Sequence, residues 1–207
     1  MPSNESTSPM AAEGASWWQA VRRQLQSLLL WLVLALLLRW WVLEPRWIPS
    51  GSMLPTLQLE DRVLVEKLRA RLDLPLPLGT IVVFHPPSPL IAAGYDPRAA
   101  LIKRIVAEPG DRVEVRQGRL WRNGEPVSLD WAPELIDYDL EPLTVPAGHH
   151  FVLGDNRNSS LDSHLWGSLP DDCLIGSALW RYWPLQRFGS LPRLPSADLD
   201  GATEHLG

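Results

Sequence analysis

A chain of 207 residues has room for one domain of ordinary size plus a tail or an anchor. Its formal net charge of −5, with no basic run, argues against a nucleic-acid-binding protein. The single cysteine, Cys173, excludes an intramolecular disulfide, and 20 prolines with 11 tryptophans suit a loop-rich β body near a bilayer better than a helical bundle.

Met1 to Ser16 is rich in Ser, Pro, Ala and Glu without apolar periodicity, so a disordered stretch is expected within an N-terminal tail over 1–25. Arg22 and Arg23 then precede an apolar run that continues past Arg39 to Leu43. A helix needs about 20 residues to cross the hydrocarbon, so a transmembrane helix is expected over 26–43, with Arg39 snorkelling. A removed signal peptide also opens with arginines and an apolar run. Its cleavage needs small residues afterwards, whereas Arg39-Trp40-Trp41-Val42-Leu43 is bulky throughout, so the segment reads as an uncleaved anchor. Trp17-Trp18 and Trp40-Trp41 fit the two interfaces, and Arg22 and Arg23 place the N-terminal side in the cytoplasm.

A body over 44–190 follows, and a flexible tail over 191–207. It opens on the polar turn Ile48-Pro49-Ser50-Gly51-Ser52-Met53-Leu54-Pro55-Thr56-Leu57. Even fully extended, the tether from Leu43 to Ser52 spans only about 30 Å, which keeps Ser52 close to the membrane surface. Met53 and Leu54 have two readings there, insertion into the outer leaflet or core packing. Beyond the turn, alternating apolar residues predict strands at Arg62 to Lys67, Ile81 to Phe84, Leu101 to Ala107, Val113 to Val115, His150 to Leu153 and Leu174 to Trp183. Asn123-Gly124 between two strand-like arms predicts a hairpin, and Glu108-Pro109-Gly110-Asp111 a tight turn.

Ser52 is the candidate nucleophile, and a serine hydroxyl is poor at that task until a base takes its proton. Only two of the 19 Lys and Arg residues are lysines, and lysine, unlike arginine, is able to give up its proton. Lys67 lies among Glu66, Arg69 and Arg71 on what reads as a solvated stretch. Lys103 instead alternates with Leu101 and Ile105 on one face of a strand. Burial there lowers a lysine pKa by up to about 3–5 units, toward the range of a general base.

Four stretches in order, Ser50 to Leu57, Gly79 to Phe84, Lys103 to Asp111 and Gly154 to Gly167, together with the preceding anchor, resemble the motif boxes of bacterial type I signal peptidases. The resemblance implies a mainly β catalytic domain behind one N-terminal transmembrane helix. It also implies a membrane-anchored serine endopeptidase that removes signal peptides from secreted precursors after small residues at −1 and −3. Ser52 would attack and Lys103 would act as base, with the Ser52 N–H and Ser50 hydroxyl as oxyanion-hole donors. Ser160 matches the serine that orients the lysine, and Asp162 a structural carboxylate near the site. Gly51 is expected to leave room for the chain to turn. No cofactor and no metal is implied, and the partners are signal-peptide-bearing precursors and the lipid bilayer, with no nucleic acid. The catalytic domain would face the periplasm or a thylakoid lumen.

Two departures from the family pattern stand out. His164 occupies a position that is arginine in many members, which suggests an Asp162–His164 pair charged only at lower pH. The span from Arg112 to His150 is short, so any accessory subdomain is expected to be little more than a hairpin. Among rival readings, a Ser-His-Asp hydrolase lacks the Gly-x-Ser-x-Gly elbow around Ser52. His149 and His150, adjacent on a strand, point to opposite faces, which disfavours a shared metal site. An inactive binding homologue is expected to lack Ser52 or Lys103, and a self-cleaving repressor to carry a preceding DNA-binding segment.

Overall fold

In a computed structural model that describes residues 10–127 and 135–192, the chain divides between Val42 and Leu43 into two units. The first is a single helix, α1 (Met10–Trp41). Its stretch Trp17–Leu37, 21 residues, is long and apolar enough to cross a membrane. The helix starts well before the expected Gln26, because Ala11, Ala12 and Ala15 are strong helix formers. The stretch to Ser16, expected to be disordered, is thus helical from Met10 onward. It stops short of Leu43: Pro45 disfavours the helical conformation at Glu44 and has no N–H to continue the ladder.

The second unit is mainly β. Its larger sheet has eight strands, all antiparallel. They are β1 (Leu43–Trp47), β2 (Arg62–Glu66), β3 (Ile81–Phe84), β4 (Leu101–Ala107), β9 (His149–Leu153), β10 (Leu169–Pro170), β11 (Leu174–Trp183) and β12 (Gly189–Ser190). The order is β1-β2-β11-β3-β4-β9-β10, with β12 on β11. The smaller sheet comprises β5 (Arg112–Arg116), β6 (Arg119–Arg122), β7 (Glu125–Pro126) and β8 (Leu140–Thr144), in the order β7-β6-β5-β8. Short helices α2 (Leu68–Arg71), α3 (Ser88–Ala92) and α4 (Ser163–Trp166) fill the connections.

Alternation decides the register. In β2, Val63 and Val65 point inward between the more exposed Arg62, Leu64 and Glu66. β4 is central and covered on both faces: Ile102 joins one apolar cluster with Ile48, Met53 and Leu57, while Ile105 joins another with Val82 and Phe84. Met53 is therefore a core residue with no exposed surface, which settles its two readings in favour of packing.

The accessory region exceeds the expected hairpin. Asn123 and Gly124 do form its turn, both with positive φ, as a two-residue loop of this kind requires. However, β8 pairs with β5, and Val113, Val115 and Leu120 pack against Val106 and Phe151, so the small sheet grows out of the end of the large one. Glu108 to Asp111 forms the expected turn, with Asp111 accepting the Glu108 N–H at 2.9 Å. Lys67 departs from its solvated reading: its side chain is only 11% exposed and pairs with Glu44 at 3.1 Å. The ordered body reaches Pro192, since Leu191 is buried, and the remainder of the expected tail lies outside the described residues.

Candidate active site

The turn bearing Ser52 is closed at its base. The Ile48 N–H donates to the Asp61 carbonyl and the Glu60 N–H to the Ile48 carbonyl, each at 2.9 Å. Within it, the Leu54 N–H donates to the Gly51 carbonyl at 3.1 Å, and buried Ile48, Met53 and Leu57 root the loop in the core. Asp61, fully buried, accepts the Gln58 N–H and pairs with Arg181 and Arg187, tying the loop to β11 and the chain after it. Ser52 is left half-buried, with the exposed Ser50 hydroxyl 3.3 Å from its Oγ.

Lys103, on β4, is 5% exposed, and its Nζ lies 2.6 Å from Ser52 Oγ. Burial pushes its pKa from 10.5 down to about 8, against the opposing pull of the Asp162 and Asp155 carboxylates. Its neighbour Arg104 is wholly buried and bridges Asp155 through two bonds, Nε to Oδ1 at 2.8 Å and Nη2 to Oδ2 at 2.6 Å. Arg104 Nη1 also donates to the carbonyls of Gly79 and Pro192, each at 2.7 Å. The strand carrying the lysine is thereby fastened to the loop after β9.

That loop, from Gly154 to His164, presses on the serine from the other side. A Cβ at Gly154 would collide with Ser160 Oγ and the Ser52 carbonyl, so only glycine permits this approach. The room expected at Gly51 matters less, since a Cβ there meets movable side chains, Leu54 at 3.1 Å and Leu59 at 3.8 Å. Asn156 donates through its N–H to the Ser52 carbonyl and through Nδ2 to the Gly51 carbonyl, each at 3.1 Å. Asp162, fully buried, accepts the Gly154 N–H at 2.8 Å and lies 2.7 Å from His164 Nδ1. The Tyr138 ring stacks on His164 with centroids 4.0 Å apart. Ser160 is buried beside Gly154 and its Oγ has no hydrogen-bond partner, so in this geometry it makes no bond to Lys103.

A hydroxyl within 2.6 Å of a lysine that sheds its proton readily is able to be activated for attack. The described histidines His85, His149 and His150 are bonded elsewhere, and His164 to Asp162; none bonds Ser52. His150, with Asp171, lines a separate cavity of about 380 Å³ that includes neither Ser52 nor Lys103.

The family model described as signal peptidase, peptidase S26, matches residues 21–183. The chain belongs to the signal peptidase family. It is 49% identical over 174 residues to the probable signal peptidase I-1 of Synechocystis sp., covering 84% of this chain and 88% of that one. It is 45% identical over 164 residues to the signal peptidase I of Leptolyngbya laminosa, covering 79% and 80%. It is also 49% identical over 150 residues to a probable thylakoidal processing peptidase 2 of Arabidopsis thaliana, covering 72% of this chain and 41% of that one. As a signal peptidase family member it is a serine peptidase, a hydrolase that removes signal peptides.

In this signal peptidase the sequence-predicted residues Ser50, Ser52, Lys103, Ser160, Asp162 and His164 belong to, or border, one contact network. Four contributors escape sequence reasoning. Asn156 lies inside the Gly-Asp-Asn-Arg stretch, where its amide is visible but its target is not. Tyr138 carries no local signal. Arg104 and Asp155 are an opposite-charge pair in two of the motif stretches, and adjacency to Lys103 was the clue available.

Proposed function

We propose that Ser52 and Lys103 form the catalytic dyad of a membrane-anchored signal peptidase. The observation that carries this reading is the 2.6 Å separation of Ser52 Oγ from the Nζ of a buried lysine with a lowered pKa. Neutral Lys103 takes the Ser52 proton as Oγ bonds to the scissile carbonyl carbon. The resulting oxyanion is held by the Ser52 N–H and the Ser50 hydroxyl. Collapse breaks the C–N bond, and the Lys103 ammonium returns its proton to the leaving amine. Water, deprotonated by Lys103, then releases the acyl group from Ser52. The base-orienting role of Ser160 rests on the family resemblance alone, its Oγ having no partner in this structure, while Asp162 and His164 hold the loop behind it.

The substrate is a precursor whose signal segment ends in small residues at −1 and −3. The preference for small side chains rests on the family resemblance; Met53, next to Ser52, packs into the core. The apolar helix and the Arg22-Arg23 flank support a single pass with the N-terminus in the cytoplasm. The catalytic body then lies on the periplasmic or thylakoid-lumen side, in keeping with one relative's being named a thylakoidal processing peptidase. Cleavage of precursors differing only at −1 tests the specificity: alanine is expected to be cleaved at least about 100-fold faster than leucine. Equal rates would refute it.

A further inference from the structure

Besides the Leu54 N–H, which donates to the Gly51 carbonyl at 3.1 Å, one side chain outside the dyad holds the chain immediately around the nucleophile. Asn156 reaches the peptide units on both sides of the Ser52 Cα: its Nδ2 donates to the Gly51 carbonyl and its N–H to the Ser52 carbonyl, each at 3.1 Å. The Gly51 carbonyl is an acceptor, so the amide nitrogen and not the amide oxygen faces it. Fixing the planes of two successive peptides fixes φ and ψ of the residue between them, and with them the direction in which its side chain leaves. In a trans peptide the C=O and the following N–H point in opposite directions. Drawing the Gly51 carbonyl toward Asn156 therefore turns the Ser52 N–H away from it. That N–H has no acceptor among the described residues. Gly154, two residues before Asn156, approaches the same Ser52 carbonyl too closely for any Cβ.

We infer that Asn156 is a positioning residue for the oxyanion hole: through the Gly51–Ser52 peptide it aims the Ser52 N–H at the carbonyl oxygen of the substrate. The inference rests on the dyad reading above and adds to it a residue that touches neither substrate nor base. An oxyanion donor is worth about 10²–10³ in rate, and its misdirection costs a part of that. The bond the donor makes strengthens as charge develops on the oxygen, so the loss falls on kcat and leaves substrate binding nearly intact.

The test uses the full chain in detergent with an Ala-x-Ala precursor, a peptide aldehyde that forms a tetrahedral adduct, and the product peptide. For Asn156→Ala we expect kcat to fall roughly 10- to 100-fold with KM within about twofold. Aldehyde affinity should fall by the same factor, while product affinity and the pH of half-maximal rate stay put. Aldehyde affinity at the wild-type level, or a loss confined to KM, or a displaced pH midpoint, would overturn the inference. Asn156→Asp keeps the shape and the backbone bond but cannot donate to Gly51 as a carboxylate. Measured on its pH plateau it should show a loss of kcat at least as large, and wild-type kcat there would equally refute the role. Ser52→Ala and Lys103→Ala are run alongside. If either stays active the dyad reading fails, and if both are inactive while Asn156→Ala is normal, only this inference fails.

Discussion

His164 meets Asp162 twice, through its ring Nδ1 at 2.7 Å and its backbone N–H at 3.3 Å, both on Asp162 Oδ1. The other carboxylate oxygen accepts the Gly154 N–H at 2.8 Å, so one buried side chain joins the start of the loop to its end. Asp162 also acts at a distance, since its negative charge favours the protonated form of Lys103. Whatever neutralises Asp162 releases the lysine proton more readily. Tyr138 covers this pair: burial, with the Asp162 charge adding to it, pushes its phenol well above the ordinary value, and Arg157 and Asp137 act on it as well.

Replacing the histidine by a permanent cation tests that coupling. In His164→Arg, Asp162 is neutralised at every pH, so the Lys103 ammonium loses support. The acid limb of activity is expected to move to lower pH relative to wild type. A pH–rate profile unchanged between pH 5 and pH 8 would show that the 164 side chain does not reach the base.

Lys103 sets both activity and stability. As a base it works only unprotonated, so activity should rise through about pH 8. For stability the sign is the opposite of a salt bridge. Below about pH 8 the folded lysine carries its proton at full desolvation cost; between there and 10.5 the unfolded chain binds more protons, and stability climbs with pH. The fall from 10.5 to about 8 corresponds to roughly 3 kcal/mol at neutral pH. Lys103→Met is therefore expected to unfold at higher temperature than wild type at pH 7, with the gap closing toward pH 10.5. A variant less stable than wild type at pH 7 contradicts this.

Arg104 and Asp155 hold the strand and the loop together in the interior. Removing one partner leaves a buried charge without its counterion, so Arg104→Ala or Asp155→Ala alone should cost about 3–5 kcal/mol. Denaturant unfolding of both single variants and the double variant measures the coupling. Costs that simply add would show that the two side chains do not depend on each other.

Gly154→Ala places a methyl group where Ser160 and the Ser52 carbonyl already stand. Backbone does not yield as a long side chain does, so the serine must shift. A loss of rate of at least about 100-fold is expected, because displacement of about 1 Å near reacting atoms costs that much. Near-normal cleavage by this variant would mean that the loop has room to retreat.

How far the fold is legible varies by strand. Val63 and Val65 in β2 and the unbroken apolar run Ile81 to Phe84 in β3 announce themselves by period and by burial on two faces. β1 and β8 do not, because each contains a proline, Pro45 and Pro142, that removes a ladder donor and argues against a strand. Both turn out to be edge strands, where that loss is tolerated. At the site, Ser52 and Lys103 stand 51 positions apart, and no periodicity connects them; the motif resemblance does. The Tyr138 stack and the grip of Asn156 depend on loop conformations that no local pattern encodes.

Cleavage of an Ala-x-Ala precursor by the full chain, with Lys103→Ala set against Ser52→Ala and wild type, tests the dyad most directly. Circular dichroism on each variant verifies the fold. Loss of cleavage in both folded variants, each by at least about 1,000-fold, is the predicted result. A folded Lys103→Ala protein that cleaves near the wild-type rate would remove the base from the mechanism.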